Sequence, residues 1–156
     1  AVTGVAPGTA IGTTAGFSLY NPLGSKKRLV ILRVSMGYVS GTMGAGVIHY
    51  LANSIPQAAV PTGTAITPIN ALIGKAMGAV AKPLTTATIV SPFILRPFAS
   101  IGASLASTAV QPWQIVEDVD GEFIIDEGGT LSLHATAAAG TSPLVAYGVT
   151  WEEVPV

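Results

Sequence analysis

The sequence predicts an all-β chain: an antiparallel β-sandwich or jelly roll of about seven or eight strands with an extended N-terminal arm. Three observations carry this. Runs such as Leu29–Val39 and Leu144–Val154 alternate with period 2 and are rich in β-branched and large residues, which suits strands better than helices. Turn signals built on the 18 Gly and 11 Pro recur along the chain, at the 8–12-residue spacing typical of sandwiches and barrels. The chain of 156 residues suits one domain that buries roughly 68–70% of its unfolded surface.

In order, residues 1–15 are Thr, Gly, Ala and Pro with two Val and one Ile. They read as an arm, ordered only where a surface receives it. Residues 16–156 read as one jelly-roll domain. Gly16–Tyr20 is a strand closed by the turn Asn21-Pro22-Leu23-Gly24, and Ser25–Arg28 is a basic loop. In Leu29–Val39, Val30, Leu32, Val34, Met36 and Tyr38 share one parity. Leu29, Ile31, Arg33, Ser35 and Gly37 share the other, apolar first and polar later. The Gly-rich turn Ser40–Gly46 then predicts a hairpin to Gly46–Asn53. It resembles a phosphate cradle only in its glycines, since no Lys ends it and a strand follows.

Residues 54–82 form an insertion, either a loop or a short helix. Thr67 could cap Pro68–Ala81, with Ile69, Leu72, Ile73, Ala76 and Met77 at helical spacing. Gly74 and Gly78 each weaken that helix by roughly 1 kcal/mol. A long loop in a compact domain commonly meets a partner. Thr85–Val90 and Phe93–Leu95 read as a strand or a bent pair around Ser91-Pro92, stopped by Arg96-Pro97. Ile101–Ala109 reads as a loop, and Gln111–Val116 leads into an acidic turn, Glu117–Asp120. Gly121–Asp126, Leu131–Thr136 and Leu144–Val154 complete the sheets. The last of these carries Val145, Tyr147, Val149 and Trp151 on one face and small residues on the other. So apolar a strand is expected centrally, covered on both sides, with Pro155 marking its end.

Only 10% of residues are charged and 49% are apolar, against about 25% charged in an average soluble domain. Burial of surface against partners is the simplest consequence. All seven basic residues lie at or before Arg96 and all eight acidic ones at or after Glu117. That segregation fits either a dipolar surface meeting a neighbour or cross-strand pairing within the chain. One short basic cluster without interleaved aromatics argues against nucleic acid. Apolar runs fall far short of the about 20 residues that span a bilayer. The first residues lack the basic and apolar regions of a signal peptide. Absence of Cys fits a reducing compartment.

Chemistry is sparse. His49 and His134 each sit alone in a predicted strand, and a cupin-type metal site would need clustered ligands. Hydrogen-bonded structural histidines are expected. Ser132 and His134 share a face about 7 Å apart, too far for a direct bond, so a triad with Asp126 is not expected. The acidic turn lacks the later ligands of a Ca²⁺ loop. Glu152 and Glu153 are adjacent and point to opposite faces, unlike a paired-carboxylate site; one of them could pair with Arg33 or Arg28. No catalytic, cofactor or metal residue is assigned.

The segment GEFIIDEGGTLSLHATAAAGTSPLVAYGVTWEEVPV, Gly121–Val156, resembles the C-terminal part of a family of small jelly-roll structural proteins of tailed bacteriophages. The shared elements are an acidic turn and strand, the Gly-Gly turn Glu127–Thr130, the strand Leu131–Thr136, the turn Ala137–Thr141 and a final strand closing in TWEEVP. The match is looser over Gly16–Asn21 and Leu29–Val39 and poor over Ser54–Lys82. The resemblance implies a non-enzymatic virion protein, a capsid cement or decoration protein on the capsid exterior, assembled in the host cytoplasm. Its expected partners are the major capsid protein and two further copies in a homotrimer. Candidate inter-subunit contacts are Lys26, Lys27, Arg28, Ile69, Leu72, Ile73, Met77, Tyr147 and Trp151. Three alternatives remain: a head- or tail-fibre module binding a host receptor through Tyr20, Tyr38, Tyr50 or Trp113, a jelly-roll metal-dependent enzyme, and a secreted trimeric signalling or adhesion module of similar architecture, against which the missing signal peptide and N-x-Ser/Thr sequon count.

Overall fold

A computed structural model of the chain describes residues 4–102, 114–137 and 140–156. The described residues hold ten strands and no helix: β1 (Thr14–Tyr20), β2 (Lys27–Thr42), β3 (Gly46–Asn53), β4 (Thr64–Ala65), β5 (Lys82–Thr88), β6 (Pro92–Ile101), β7 (Gln114–Asp118), β8 (Ile124–Ile125), β9 (Thr130–Ala137) and β10 (Thr141–Pro155). They form two antiparallel sheets. The larger runs β4-β5-β1-β9-β3-β6, and the smaller runs β10-β2-β7 with β8 also on β2. Phe17, Leu19, Leu29, Ile31, Val34, Met36, Ile48, Tyr50, Leu131, Leu133 and Val145 meet in one core contributed by both sheets. The expected loop at Ile101–Ala109, the start of Gln111–Val116, Trp113 and the first three residues lie wholly or mostly outside the described set.

β2 does not keep one parity. Leu29 and Ile31 are buried, Arg33 is exposed, and Val34 and Met36 are buried again. The switch falls where the β10 register slips: Thr150 faces Arg33, but Trp151 faces Ile31. Leu32 is the extra residue of a β-bulge, which reverses the faces beyond it. Its carbonyl oxygen accepts N–H bonds from both Val119 (2.8 Å) and Asp120 (3.0 Å).

The expected hairpin from β2 to β3 does not form, because the two strands belong to different sheets. The Gly-rich stretch is instead the end of β2 and a crossing between layers. Met43 within it is buried in the core, and a Cβ on Gly46 would collide with the backbone of Thr136 and Ala137. β10 is an edge strand, not a central one. Its large face packs on the core, while Ala146, Gly148 and Thr150 face outward with too little apolar bulk to need a covering layer. β5 and β6 do not pair; β1, β9 and β3 lie between them. β6 runs through Pro97 instead of stopping there, which an edge strand with two register shifts against β3 tolerates.

The link Ile89–Ser91 therefore passes over a face of the large sheet. Ile89 is fully buried, the Ser91 carbonyl accepts from Ser54 N–H, and Val90 N–H donates to Gln57 Oε1. The Tyr20 hydroxyl donates to the Gln57 carbonyl at 2.6 Å. On this side, opposite to the core-facing Leu131, Leu133 and Ala135, Ser132 and His134 are also buried. His134 stands directly across the ladder from His49. Burial lowers its imidazole from the usual 6.5 to about 4.

The unfolded chain thus takes up a proton at His134 near pH 6.5 that the folded chain refuses until about pH 4, so this group makes stability fall as pH falls through that window. Urea unfolding at pH 7 and pH 5 should show a loss of about 2 kcal/mol in the wild type. That loss should be largely absent in His134→Gln; equal losses in both proteins would assign it to other groups.

Candidate interaction surface

The segment joining β4 to β5 is not helical, contrary to the helical alternative for Pro68–Ala81. A helix there would gather Ile69, Leu72, Ile73 and Met77 on one face, but the backbone breaks from helical geometry at Gly74, which is left-handed at φ +88°. Instead the segment folds on local polar contacts. Asn70 Oδ1 accepts from Leu72 N–H at 2.9 Å, and Lys75 N–H donates to the Leu72 carbonyl at 3.1 Å. The Asn70 side-chain amide reaches the Ala76 carbonyl at 3.4 Å.

Both ends of this loop are tied down. Ile66 N–H donates to the Pro83 carbonyl at 2.9 Å. Val80 and Ala81 N–H donate to Glu153 Oε1 at 2.8 and 3.0 Å, and Lys27 Nζ donates to Glu153 Oε2 at 2.8 Å. Burial alone would raise the Glu153 carboxyl, but Lys27 and the two N–H groups outweigh it and hold the carboxyl below its usual range. The outcome is an apolar loop held away from the body: Ile69 is 87% exposed, Leu72 63%, Ile73 94% and Met77 45%. These four predicted contact residues are therefore all left to solvent. Asn70 and Glu153, which shape and anchor the loop, were not singled out as its supports. The Asn in Pro-Ile-Asn-Ala-Leu is the available signal, since Asn side chains cap such turns.

The basic cluster is not an open patch. Lys27 pairs with Glu153, Arg28 with Asp126 at 3.5 Å, and Arg33 with Asp118. Lys26, at φ +54°, gives its backbone N–H to Glu127 Oε1. The sequence segregation of charge thus resolves into pairing within the chain. β2 carries Lys27, Arg28 and Arg33, and its partners β10 and β7 and the turns beside β8 carry the anions they meet. Glu153 takes Lys27, not Arg33 or Arg28.

Arg96 makes the corresponding contact between sheets. From β6 it reaches Glu117 at 2.7 Å and Glu122 at 2.6 Å. Its guanidinium lies 4.9 Å from the Tyr50 ring centre and 5.1 Å from that of Phe123, a cation–π arrangement. The Tyr50 hydroxyl donates to Glu117 Oε2 at 2.9 Å. The hydrogen bond from Arg96 lowers the Glu122 carboxyl.

Tyr147 and Trp151 are half-buried and pack on the core. The Tyr147 ring centre is 5.9 Å from that of Phe17. Its hydroxyl is buried without a hydrogen-bond partner, and burial raises its pKa. Beside it a cleft of about 520 Å³ opens between the sheets, lined among others by Val5, Phe17, Ile66, Thr85 and Val145.

Few of the chemical candidates are placed to react. His134 Nε2 does lie 3.1 Å from Ser132 Oγ, closer than their Cα spacing suggested, because the ring turns back along the strand. Asp126 is drawn instead to Arg28, and both Ser132 and His134 are buried from any substrate. In and beside the acidic turn, Asp118 is taken by Arg33 and Glu117 and Glu122 by Arg96; beyond it Asp126 is taken by Arg28, and Glu127 accepts from the backbone N–H of Gly24 and Lys26. Among the described residues no group of three or more His, Asp or Glu side chains could hold a metal ion. Of the aromatic receptor candidates, Tyr20 and Tyr50 are fully buried, and the Tyr38 hydroxyl donates to the Gly41 carbonyl. No protein-family model matches the chain, and no curated protein and no solved structure matches it.

Replacing Glu153 by Ala should free the loop base. Amide exchange at Val80 and Ala81 should accelerate, with a stability loss of about 1–3 kcal/mol. Unchanged protection of those two amides would show that the carboxylate does not anchor the loop.

Proposed function

We propose that the chain is a non-enzymatic structural protein of a tailed-phage virion, a capsid cement or decoration protein that binds major capsid protein subunits as a homotrimer. The observation that carries this reading is the apolar loop Ile69–Met77, fixed at both ends and pointing its side chains into solvent. A preformed apolar projection loses little conformational freedom on docking, so more of its burial appears as affinity. Each such side chain contributes about 1.5–3 kcal/mol when fully buried, and a shell repeats the contact at every site. The C-terminal resemblance and the low charge support the same reading. Tyr147 and Trp151, packed inward, serve the body of the sandwich first.

Ile73 touches nothing that the fold needs, so Ile73→Asp should leave the melting temperature unchanged. It should weaken co-sedimentation with empty shells of the same virion by about tenfold or more. Native mass spectrometry at micromolar concentration tests the trimer. Shell binding that survives both Ile69→Asp and Ile73→Asp would remove the loop from the interface, and a clean monomer would remove the trimer.

A further inference from the structure

Pairing within the chain leaves a one-sided remainder of charge. Among the described residues, Lys27, Arg28, Arg33 and Arg96 are held by carboxylates. Lys26, Lys75 and Lys82 are exposed, and their ammonium groups have no ionic or hydrogen-bond partner. All three border the apolar loop. Lys75 lies within it, between Ile73 and Met77. Lys82 follows Ala81, whose N–H is fixed by Glu153, and Lys26 precedes Lys27, which grips the same carboxylate.

The carboxylates are placed in the opposite way. All except Asp120 and Glu152 are held by a cation or by main-chain N–H groups. Glu152 adjoins Glu153 on β10 and so points to the face away from the loop's anchor. Asp120 follows β7, where its N–H meets the Leu32 carbonyl. No carboxylate precedes Glu117 in the sequence, so the loop carries none of its own. The residues outside the described set join the fold toward its other end. Ile101, before them, pairs with Gly46; Gln114, after them, pairs with Gly37; and Gly4 lies beside Val39 and Leu144. Leu144 and Glu153 are separated by about 30 Å of strand.

Unpaired ammonium groups around an apolar projection match a partner surface that is apolar at its centre and negative at its rim. A second copy of this chain does not supply one, because its two unheld carboxylates stand one on β10 and one after β7, with β2 between those strands. We propose that the surface receiving the loop is an apolar groove on a shell subunit bordered by carboxylates, which pair with Lys26, Lys75 and Lys82 as Ile69 and Ile73 enter the groove. This rests on the shell-docking reading above and adds the chemistry of the partner. Apolar burial supplies most of the affinity. The rim charges set the rate of encounter and the register of docking, and salt screens them.

The test follows association of the full chain with empty shells in about 50 mM and about 500 mM NaCl, on either side of physiological screening. The wild-type association rate should fall about tenfold or more over that range, with a smaller change in dissociation. A triple variant, Lys26→Gln, Lys75→Gln and Lys82→Gln, should keep the wild-type melting temperature, since these ammonium groups touch nothing in the chain. It should associate about tenfold more slowly at low salt and lose most of the salt dependence. The corresponding triple Arg variant should behave as wild type. A wild-type rate indifferent to salt, or a Gln variant that matches wild type, would sink the charged rim while loop docking stands, provided Ile73→Asp still weakens binding. A wild type that ignores shells, or shell binding that survives both Ile69→Asp and Ile73→Asp, would sink the docking reading and this proposal with it. Vesicles of phosphatidylserine and phosphatidylcholine are the second probe. Salt-sensitive binding to them and not to shells would assign the lysines to a lipid surface, and loss of the trimer in the Gln variant would assign them to contacts between copies; either result overturns the proposal.

Discussion

One extra residue in β2 decides what is inside this protein. Without the bulge at Leu32, the parity that buries Leu29 and Ile31 would carry Arg33 and Ser35 into the core and turn Val34 and Met36 out. The bulge also sets the β10 register, so that Val145, Tyr147 and Val149 before the slip and Trp151 after it all face the same core. The turn after β7 is fastened to the same point through the Leu32 carbonyl. Three features of the small sheet thus depend on a single residue that fits neither of its neighbours' alternations.

Charge then works at the rims of the layers. Few ionised groups are present, and most of those described are held in pairs that join separate stretches of chain: Lys27 with Glu153, Arg28 with Asp126, Arg33 with Asp118, and Arg96 with Glu117 and Glu122. Exposed pairs of this kind contribute little individually. Arg96 is better placed, with two carboxylates and two aromatic faces around one guanidinium. Glu153 differs again, because it accepts main-chain N–H groups and so couples a side-chain charge to the position of a loop.

Alternation along single runs was enough to find β1, most of β2, β3, β9 and β10, and turn residues placed their ends closely. Partnerships were not legible in the same way. Ser40–Gly46 reads as a hairpin turn because its glycines permit one, and only the burial of Met43 shows that it crosses between sheets. β10 reads as central because apolarity along a strand does not distinguish a face that is covered from one that is merely small. The loop residues Ile69, Leu72, Ile73 and Met77 were visible as a group. Their helical spacing pointed to an amphipathic element, whereas the chain turns at Gly74 and leaves all four side chains exposed. Charge segregation was visible as well, but its meaning needed the register that brings β2 against its C-terminal partners.

The apolar loop leaves and re-enters the body at neighbouring points, since Ala65 pairs with Leu84 across the β4–β5 ladder. Its exposed middle contributes nothing to the main core cluster. Changing its length alters the closure entropy only logarithmically. Folding is therefore encoded outside the loop's middle, and the tip can be rewritten, lengthened or replaced by a short turn while the sandwich keeps its form. On the docking reading proposed above, a lineage built on this scaffold would change what it attaches to by altering about a dozen residues, without renegotiating any contact of the core.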